Sequence, residues 1–319
     1  MRSATFKLDR LSALRVAVTA AVTGALLGGG SAALQHQERQ LTFYAVRDTA
    51  EWLSRIPDGV VEFDMPVGSA AQVQHIHAWW WPAAKASSPA VLYLHGASSD
   101  LMGQIFRLEQ LHAFGFSVLA IDYRGFGRSD GDLPSEDTVY EDARAAWAWL
   151  TTRQADPARR FIYGHSLGGA VAVDLAAALS DEHRLDAREA DPFIAPAAGL
   201  IVESTFTTLL DIAKEFTYPW LPIGLLMSQK FDSVSKMAQV RMPVLVVHGA
   251  GDRYVPSKFA MALYAAATGP KKLLLVDGAD HDDSMITGAA SYRRALAELF
   301  GLSAKNIAEV GLRGKLPRS

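Results

Sequence analysis

Phe161-Ile162-Tyr163-Gly164-His165-Ser166-Leu167-Gly168-Gly169 runs from an apolar strand, through a turn of the form G-x-S-x-G, into a helix of small and apolar residues at 170–179. A serine hydroxyl is a weak nucleophile unless the backbone holds it clear of the fold beside a base. Glycines at 164 and 168 suit a strand-to-helix turn that leaves no room for Cβ atoms around a strained serine. The bland alternative is a Gly/Ser surface loop, and a strand on one side with a helix on the other disfavours it. Such a serine requires a base, an acid to orient the base, and donors for an oxyanion.

The surrounding grammar is that of repeated β-α units. Apolar runs at 90–94, 117–121, 161–163, 200–202, 244–247 and 272–276 predict strands, the first of them buried on both faces. Helical spacing covers 102–114, 138–150, 256–267 and 284–300, the second opened by Thr138-Val139-Tyr140-Glu141 as a capping box. Units of this kind require a parallel sheet with helices on both faces, and ligands then bind at the carboxyl ends of the strands. Upstream, 60–65 and 72–79 alternate polar and apolar residues across a break at 66–69, the pattern of an antiparallel pair with one wet face. His75 and His77 share a face there and could share a metal; a solvated strand face is the simpler expectation. Trp79-Trp80-Trp81 reads as core and sheet edge, and 85–89 as a turn.

Two stretches depart from the repeat. Residues 180–198, charged and then Pro/Ala-rich, read as an inserted surface loop. Residues 206–240, with Tyr218-Pro219-Trp220-Leu221-Pro222 at their middle, read as a short helical cap over the site, since pockets of this type are lined by apolar side chains.

The chain of 319 residues is long enough for one large α/β domain, and half of it is hydrophobic. A formal net charge of -3 gives no reason to expect nucleic acid as a partner. The absence of cysteine excludes disulfides, thiolate metal sites and S-acylation, and leaves the redox compartment open.

Arg2, Lys7, Arg10 and Arg15, opposed only by Asp9, precede an uncharged run at 16–34. Nineteen residues are about the length that crosses a bilayer, so the expectation is a retained single-pass anchor. Ser31-Ala32-Ala33 supplies the alternative, a small-residue cleavage site for a signal peptide and a secreted or periplasmic product. Either way the basic flank stays in the cytoplasm and the remainder crosses. Residues 41–57 then read as a juxtamembrane strand or short helix. The expected organisation is an N-terminal membrane segment at 1–40, a catalytic domain at 41–303 and a basic tail at 304–319.

His281, in Asp277-Gly278-Ala279-Asp280-His281-Asp282, follows the last apolar strand and is the candidate base. Asp252, in His248-Gly249-Ala250-Gly251-Asp252-Arg253, follows the preceding strand and is the candidate acid that fixes the tautomer. Ser166, Asp252 and His281 each follow a buried strand in the chain order Ser…Asp…His, which lowers the chance that they are isolated caps or solvated side chains. His248 reads as structural, under the Asp252 loop. His165 is badly placed to serve as the base, and Asp282 and Asp283 read as caps of the helix from Ser284. For the oxyanion, the backbone N–H of Leu167 is one donor and that of Ala97, in Leu94-His95-Gly96-Ala97-Ser98-Ser99, is the other. Ser98 is a weaker side-chain candidate.

His95-Gly96-Ala97, the run Asp122-Tyr123-Arg124-Gly125-Phe126-Gly127-Arg128-Ser129-Asp130-Gly131, Gly164-His165-Ser166-Leu167-Gly168-Gly169 and the loops at Asp252 and His281 together resemble the α/β-hydrolase superfamily over about residues 60–300. Glu203-Ser204-Thr205-Phe206-Thr207 and the N-terminal apolar segment resemble its membrane-associated Bem46/ABHD13-type branch. The resemblance implies the α/β-hydrolase fold, with a mostly parallel eight-stranded sheet, and a serine hydrolase of esters, thioesters or lipids that uses neither cofactor nor metal. A peptidase or acyltransferase with the same triad is the enzymatic alternative, and a membrane-tethered binding protein the non-enzymatic one. Dehalogenase chemistry is disfavoured because the turn carries serine in place of aspartate. The length of 180–198 departs from the branch.

Overall fold

Alternation along the strands divides the apolar residues into two sets, and each set meets its own layer of helices. Leu92, Leu119, Ile162, Leu200 and Val246 belong to one core cluster, with Val139, Trp147, Val171 and Leu263 from helices Glu136–Arg153, Leu167–Leu185 and Lys258–Ala266. Their neighbours Val91, Val118, Phe161, Ile201 and Leu245 belong to a second cluster, with Leu108, Leu111, Tyr292 and Leu296 from helices Ile105–Ala113 and Ala289–Phe300. Strands buried on both faces are what a covered parallel sheet requires.

The computed structural model describes residues 31–47, 55–69, 72–185, 197–217, 223–225 and 227–302. The strands are β1 (Val61–Ser69), β2 (Gln72–Trp81), β3 (Ala90–Leu94), β4 (Ser117–Ile121), β5 (Arg160–His165), β6 (Gly199–Glu203), β7 (Val244–Gly249) and β8 (Lys271–Val276). They form one eight-stranded sheet in the order β1-β2-β4-β3-β5-β6-β7-β8. The β1–β2 and β2–β4 pairs are antiparallel and every other pair is parallel. This is the expected mostly parallel sheet with helices on both faces. Because β4 and β5 flank β3 on opposite sides, the chain reverses direction there, and the crevice at the carboxyl ends of β3 and β5 is the topological switch point.

Several boundaries differ from the sequence reading. β1 does not stop at Pro66 but runs through it to Ser69, with Pro66 paired to His75. β1 is the sheet edge, where a missing N–H costs no ladder bond. The helix expected from Thr138 begins at Glu136, with Ser135 as N-cap and Ser135–Thr138 as the capping box. Glu136 and Asp137 in its first turn suit the positive end of the helix dipole. The helix expected over 284–300 is two, Ser284–Thr287 and Ala289–Phe300, parted at Gly288 where a Cβ would stand 2.8 Å from Val276 Cγ1. The loop expected from Ser180 begins later, because helix Leu167–Leu185 carries on through that position; 186–196 lie outside the described residues.

His75 is half exposed beside Asp130, as a solvated strand face implies, but His77 is buried. Its Nδ1 lies 3.2 Å from Asp64 Oδ1, and its Nε2 accepts Trp79 Nε1–H at 3.1 Å. The two imidazoles thus have separate partners.

Between β6 and β7 the chain makes a helical excursion through Leu209–Phe216, Ile223–Leu225 and Ser233–Met237. Residues 218–222, the middle of the expected cap, lie outside the described residues, as does the tail at 304–319. So do residues 16–30 of the expected membrane segment. Among the described residues no helix is long and apolar enough to cross a membrane. Residues 31–34 open helix Ser31–Phe43, which extends well upstream of the element expected at 41–57 and spans the expected division at residue 40. This helix packs on the domain: Phe43 is fully buried, Arg39 Nε–H donates to Pro134 O at 2.7 Å, and Glu38 accepts from the backbone at 228 and 229.

Candidate active site

The turn after β5 forms because two glycines let backbones meet and a third admits the Thr205 side chain. A Cβ on Gly164 would fall 2.1 Å from Gly168 O, one on Gly168 2.1 Å from Leu94 O, and one on Gly169 2.5 Å from Thr205 Cβ. Ser166 is consequently held at φ 54, in the left-handed region that a non-glycine residue occupies at a cost. Its N–H donates to Glu203 O at 2.9 Å and its carbonyl accepts Gly169 N–H at 2.9 Å, so both neighbours of the turn pin it. Ser166 itself is partly exposed, while the residues around it are buried.

The loop after β7 presents Asp252 and the loop after β8 presents His281. Asp252 Oδ2 lies 2.7 Å from His281 Nδ1, and the Asp252 carboxylate is fully buried. Oδ1 accepts the N–H groups of Tyr254 and Val255, each at 2.9 Å. Burial opposes the charge of Asp252, but hydrogen bonds from His248 and His281 outweigh it and hold the carboxyl below the usual carboxylate range. Burial likewise opposes a charged His281, and the hydrogen bond and charge of Asp252 outweigh it, raising the imidazole above 6.5. The His281 ring packs against those of Tyr254 and His165, with centroids at 5.7 and 5.0 Å. Asp252 and His281 are therefore brought into direct contact. Among the described residues no hydrogen bond joins Ser166 Oγ to His281, a contact that is often long in substrate-free sites.

His248 behaves as expected of a structural residue: fully buried, its Nε2 lies 2.7 Å from Val255 O and 3.3 Å from Asp252 Oδ2. Asp283 stands at the N-cap position of helix Ser284–Thr287, but its carboxylate accepts Asp280 N–H at 2.7 Å and caps no helix N–H. Asp282 is no cap either. Its exposed carboxylate lies 3.6 Å from Arg107 Nη2 and 3.7 Å from His165 Nε2.

The turn after β3 supplies the facing wall. An added Cβ on Gly96 would stand 3.0 Å from Ser166 Cβ, so this turn abuts the serine. His95 is fully buried with Nδ1 2.7 Å from Gly96 O, and burial pushes its imidazole down to about 4, which keeps it uncharged beneath the turn. Ser98 sits at φ 61 and its N–H is spent on Phe43 O at 3.1 Å. Among the described residues, no protein acceptor takes the N–H of Ala97 or of Leu167, the two expected oxyanion donors.

His165, His281 and Asp282 each place a ligand-capable atom within 4.8 Å of the others. His165 Nε2 lies 3.0 Å from His281 O and His281 Nδ1 is engaged by Asp252, so the trio reads as part of a hydrogen-bonded site. A separate cavity of about 190 Å³, lined in part by His77, Trp79, Asp100 and Asp122, contains none of Ser166, Asp252 or His281.

A buried polar cluster behind the site went unread in the sequence. Arg107, Glu203, Tyr93, Tyr163 and Tyr292 are all buried in the layer that contains helices Ile105–Ala113 and Ala289–Phe300. Glu203 Oε2 accepts the hydroxyls of Tyr163 and, at 3.2 Å, Tyr292. Arg107, on an amphipathic helix, carries no motif that marks it, and only an unexplained charge at an apolar helical position could have drawn attention to it.

Residues 85–236 match the family model described as serine aminopeptidase, S33. A Mycobacterium tuberculosis protein, Rv2307c, is 38% identical over 207 residues, covering 64% of this chain and 67% of that protein. Lysophosphatidylserine lipase ABHD12 of Danio rerio is 30% identical over 226 residues, covering 66% of this chain and 55% of that protein. Among solved structures, the Pyrococcus furiosus esterase Pf2001 superposes with a TM-score of 0.56 at 20% identity, over 78% of this chain and 97% of that one.

Proposed function

The chain belongs to the α/β-hydrolase superfamily, and from that premise we propose that it is a serine hydrolase of acyl esters. The observation that carries the reading is the 2.7 Å contact between His281 Nδ1 and the buried Asp252 carboxylate, in the loops after β7 and β8, at the same carboxyl edge of the sheet as a serine held at φ 54 after β5. In this reading Ser166 Oγ attacks the ester carbonyl while His281 Nε2 takes its proton. Asp252 keeps the proton of Nδ1 in place and stabilises the imidazolium that forms. The N–H groups of Ala97 and Leu167 receive the developing oxyanion. The imidazolium returns its proton to the departing alcohol, and water, deprotonated by His281, releases the acid from the acyl-serine. The residues 206–240 form the cap that selects the acyl chain. Similarity to the Danio rerio lysophosphatidylserine lipase favours a lipid ester within that class.

We propose in addition, from the N-terminal sequence, that the protein is tethered to a membrane. The uncharged run 16–34 with its basic flank anchors the chain, and the catalytic domain lies on the non-cytoplasmic side. Intact mass of detergent-extracted protein tests this: a mass lacking residues 1–34 would replace the anchor with a cleaved signal peptide.

A fluorophosphonate probe should label the wild-type protein, and Ser166→Ala should abolish labelling together with hydrolysis of short aryl esters and lysolipids. Labelling that survives the substitution overturns the assignment. Turnover of oligopeptides without turnover of esters would move the activity to the peptidase reading, which the name of the matching family model favours.

A further inference from the structure

We propose that His165 and Arg107 are positioning residues that hold the loop carrying His281, working as one unit, one from the elbow itself and one from helix Ile105–Ala113. The proposal rests on the reading of His281 as the base.

The geometry is that of two donors on two successive carbonyls. His165 Nε2 lies 3.0 Å from the main-chain oxygen of His281, and Arg107 Nη2–H donates to that of Asp282 at 2.9 Å. One donor comes from the residue preceding Ser166 and the other from helix Ile105–Ala113, so the loop is referenced both to the nucleophile and to the helical layer. A loop after an edge strand is free to shift unless its backbone is fixed, and a displacement of about 1 Å at a catalytic base can cost on the order of 100-fold in rate. β8 is such an edge strand.

The placement of Arg107 is costly, which argues that it is retained for more than packing. Its side chain is 1% exposed, and a buried guanidinium is tolerated only with partners on its fork. Those partners are Gln104 Oε1 at 3.2 Å, Asp282 O, and the Glu203 and Asp282 carboxylates, each at 3.6 Å as an ion pair without a hydrogen bond. Glu203 in turn is fixed by the tyrosine hydroxyls of β5 and helix Ala289–Phe300, and its own carbonyl takes the N–H of Ser166. The path from nucleophile to base loop is therefore continuous: Ser166 N–H to Glu203, Glu203 to Arg107, Arg107 to Asp282, and His165 closing the circuit to His281. A histidine at 165 does what a bulkier apolar residue in a G-x-S-x-G turn could not, because its Nε2 reaches across to the neighbouring loop. Burial keeps that imidazole uncharged.

The test uses the full-length protein in two arms. His165→Leu removes one donor, and His165→Gln keeps an amide donor near the same reach. Arg107→Met would leave the Glu203 carboxylate buried without its cation, so it is made together with Glu203→Gln; Arg107→Lys keeps the charge and one donor. For His165→Leu and for the Arg107→Met/Glu203→Gln pair, kcat should fall on the order of 10- to 100-fold with KM nearly unchanged. His165→Gln and Arg107→Lys should recover most of that loss. Combining the two lesions should cost far less than the product of the separate losses, because both free one loop. Backbone hydrogen exchange across 279–284 should quicken in both lesion variants, whether or not Ser166 proves to be the nucleophile. Folded variants with wild-type kcat and wild-type exchange at 279–284 would overturn the proposal. So would losses confined to KM, which would make these residues part of the substrate wall. Faster exchange in a protein whose Ser166 no probe labels would sink the hydrolase reading and leave the positioning role standing.

Discussion

The main-chain carbonyl of Phe43 accepts the N–H of Ser98 at 3.1 Å, which joins the end of the N-terminal helix to the turn that follows β3. Ser98 is held at φ 61, and the Phe43 ring is wedged edge-on between Phe126 and Phe231, with centroids at 6.4 and 5.9 Å. Helix Ser31–Phe43 thus braces the turn that abuts Ser166. Phe43→Ala should cost about 3–5 kcal/mol, the range for emptying a buried phenylalanine site. It should also depress kcat, because the turn bearing Ala97 loses its prop. Phe43→Leu fills most of the volume and should lose less of both. Thermal unfolding and ester turnover on the same preparations check this, and an unchanged Tm for Phe43→Ala would contradict it.

The pH profile follows from the Asp252–His281 contact. His281 must be neutral to accept a proton, so activity falls as pH drops through its folded-state value. That value lies above 6.5, since the bond and charge of Asp252 outweigh the burial that opposes them. The acid limb of kcat/KM should therefore have its midpoint above 6.5. Asp252→Asn removes the raising partner and leaves burial, so the midpoint should move down while kcat drops, on the order of 10³- to 10⁴-fold by comparison with other triads. Stability moves with opposite signs for the two groups. His281 contributes fully below its unfolded value, and the contribution is lost as pH rises through the folded one. Asp252 contributes above its unfolded value near 3.8, and the contribution is lost only as pH falls towards its depressed folded one. A wild-type acid limb at or below 6.5 would break the argument.

Strand-borne features were legible in the sequence because burial on both faces writes itself as an apolar run. Leu200-Ile201-Val202 and Val244-Leu245-Val246-Val247 could be nothing else, and Ser166, Asp252 and His281 were found as the residues that follow such runs. What failed were features decided by a partner far along the chain. Pro66 was taken as a strand end because nothing local says that β1 is an edge. His77 was read as solvated because its neighbours Asp64 and Glu62 lie on the paired strand. Arg107 and Phe43 act on loops more than 50 residues away. The helical extension past Ser180 was hidden because charged residues suit an exposed helix as well as a loop.

The turn glycines should separate crowding from backbone strain. Gly168→Ala would drive a Cβ to 2.1 Å from Leu94 O, a main-chain atom in a central strand that cannot retreat. Gly278 sits at φ +75 with nothing within 4 Å of an added Cβ, so Gly278→Ala meets only the conformational penalty. That penalty is about 1–2 kcal/mol. Gly168→Ala should exceed it, at about 4 kcal/mol or more, and should move Ser166 enough to silence labelling by a fluorophosphonate. Denaturant unfolding of the two variants gives the comparison directly, and equal losses would mean that the elbow is not packed as described.

Two glutamates hold four successive backbone N–H groups of the returning limb between β6 and β7. Glu38 takes those of Ser228 and Gln229, each at 2.9 Å, and Glu136 takes those of Lys230 and Phe231 at 2.6 and 2.9 Å. Glu136, with its side chain 15% exposed, also accepts the Tyr140 hydroxyl at 2.9 Å and pairs with Lys236, whereas Glu38 lies on helix Ser31–Phe43. Charge-assisted bonds to buried N–H groups are worth about 1.5–3 kcal/mol each, and much less where water can replace them. Glu136→Ala should therefore destabilise by about 2–4 kcal/mol, and Glu38→Ala by about 1 kcal/mol or less. Neither carboxylate touches the Asp252–His281 pair, so the chemical step on a short ester should survive. What should change is the fixity of 206–240: limited proteolysis there should quicken, and KM for long-chain acyl esters should rise while KM for short ones holds. The double substitution should fall short of the sum of the singles, since each carboxylate grips one half of the same four-residue segment. If proteolysis and long-chain KM are unmoved in Glu136→Ala, the limb is held by its apolar contacts, and the carboxylates only satisfy N–H groups that water would otherwise reach.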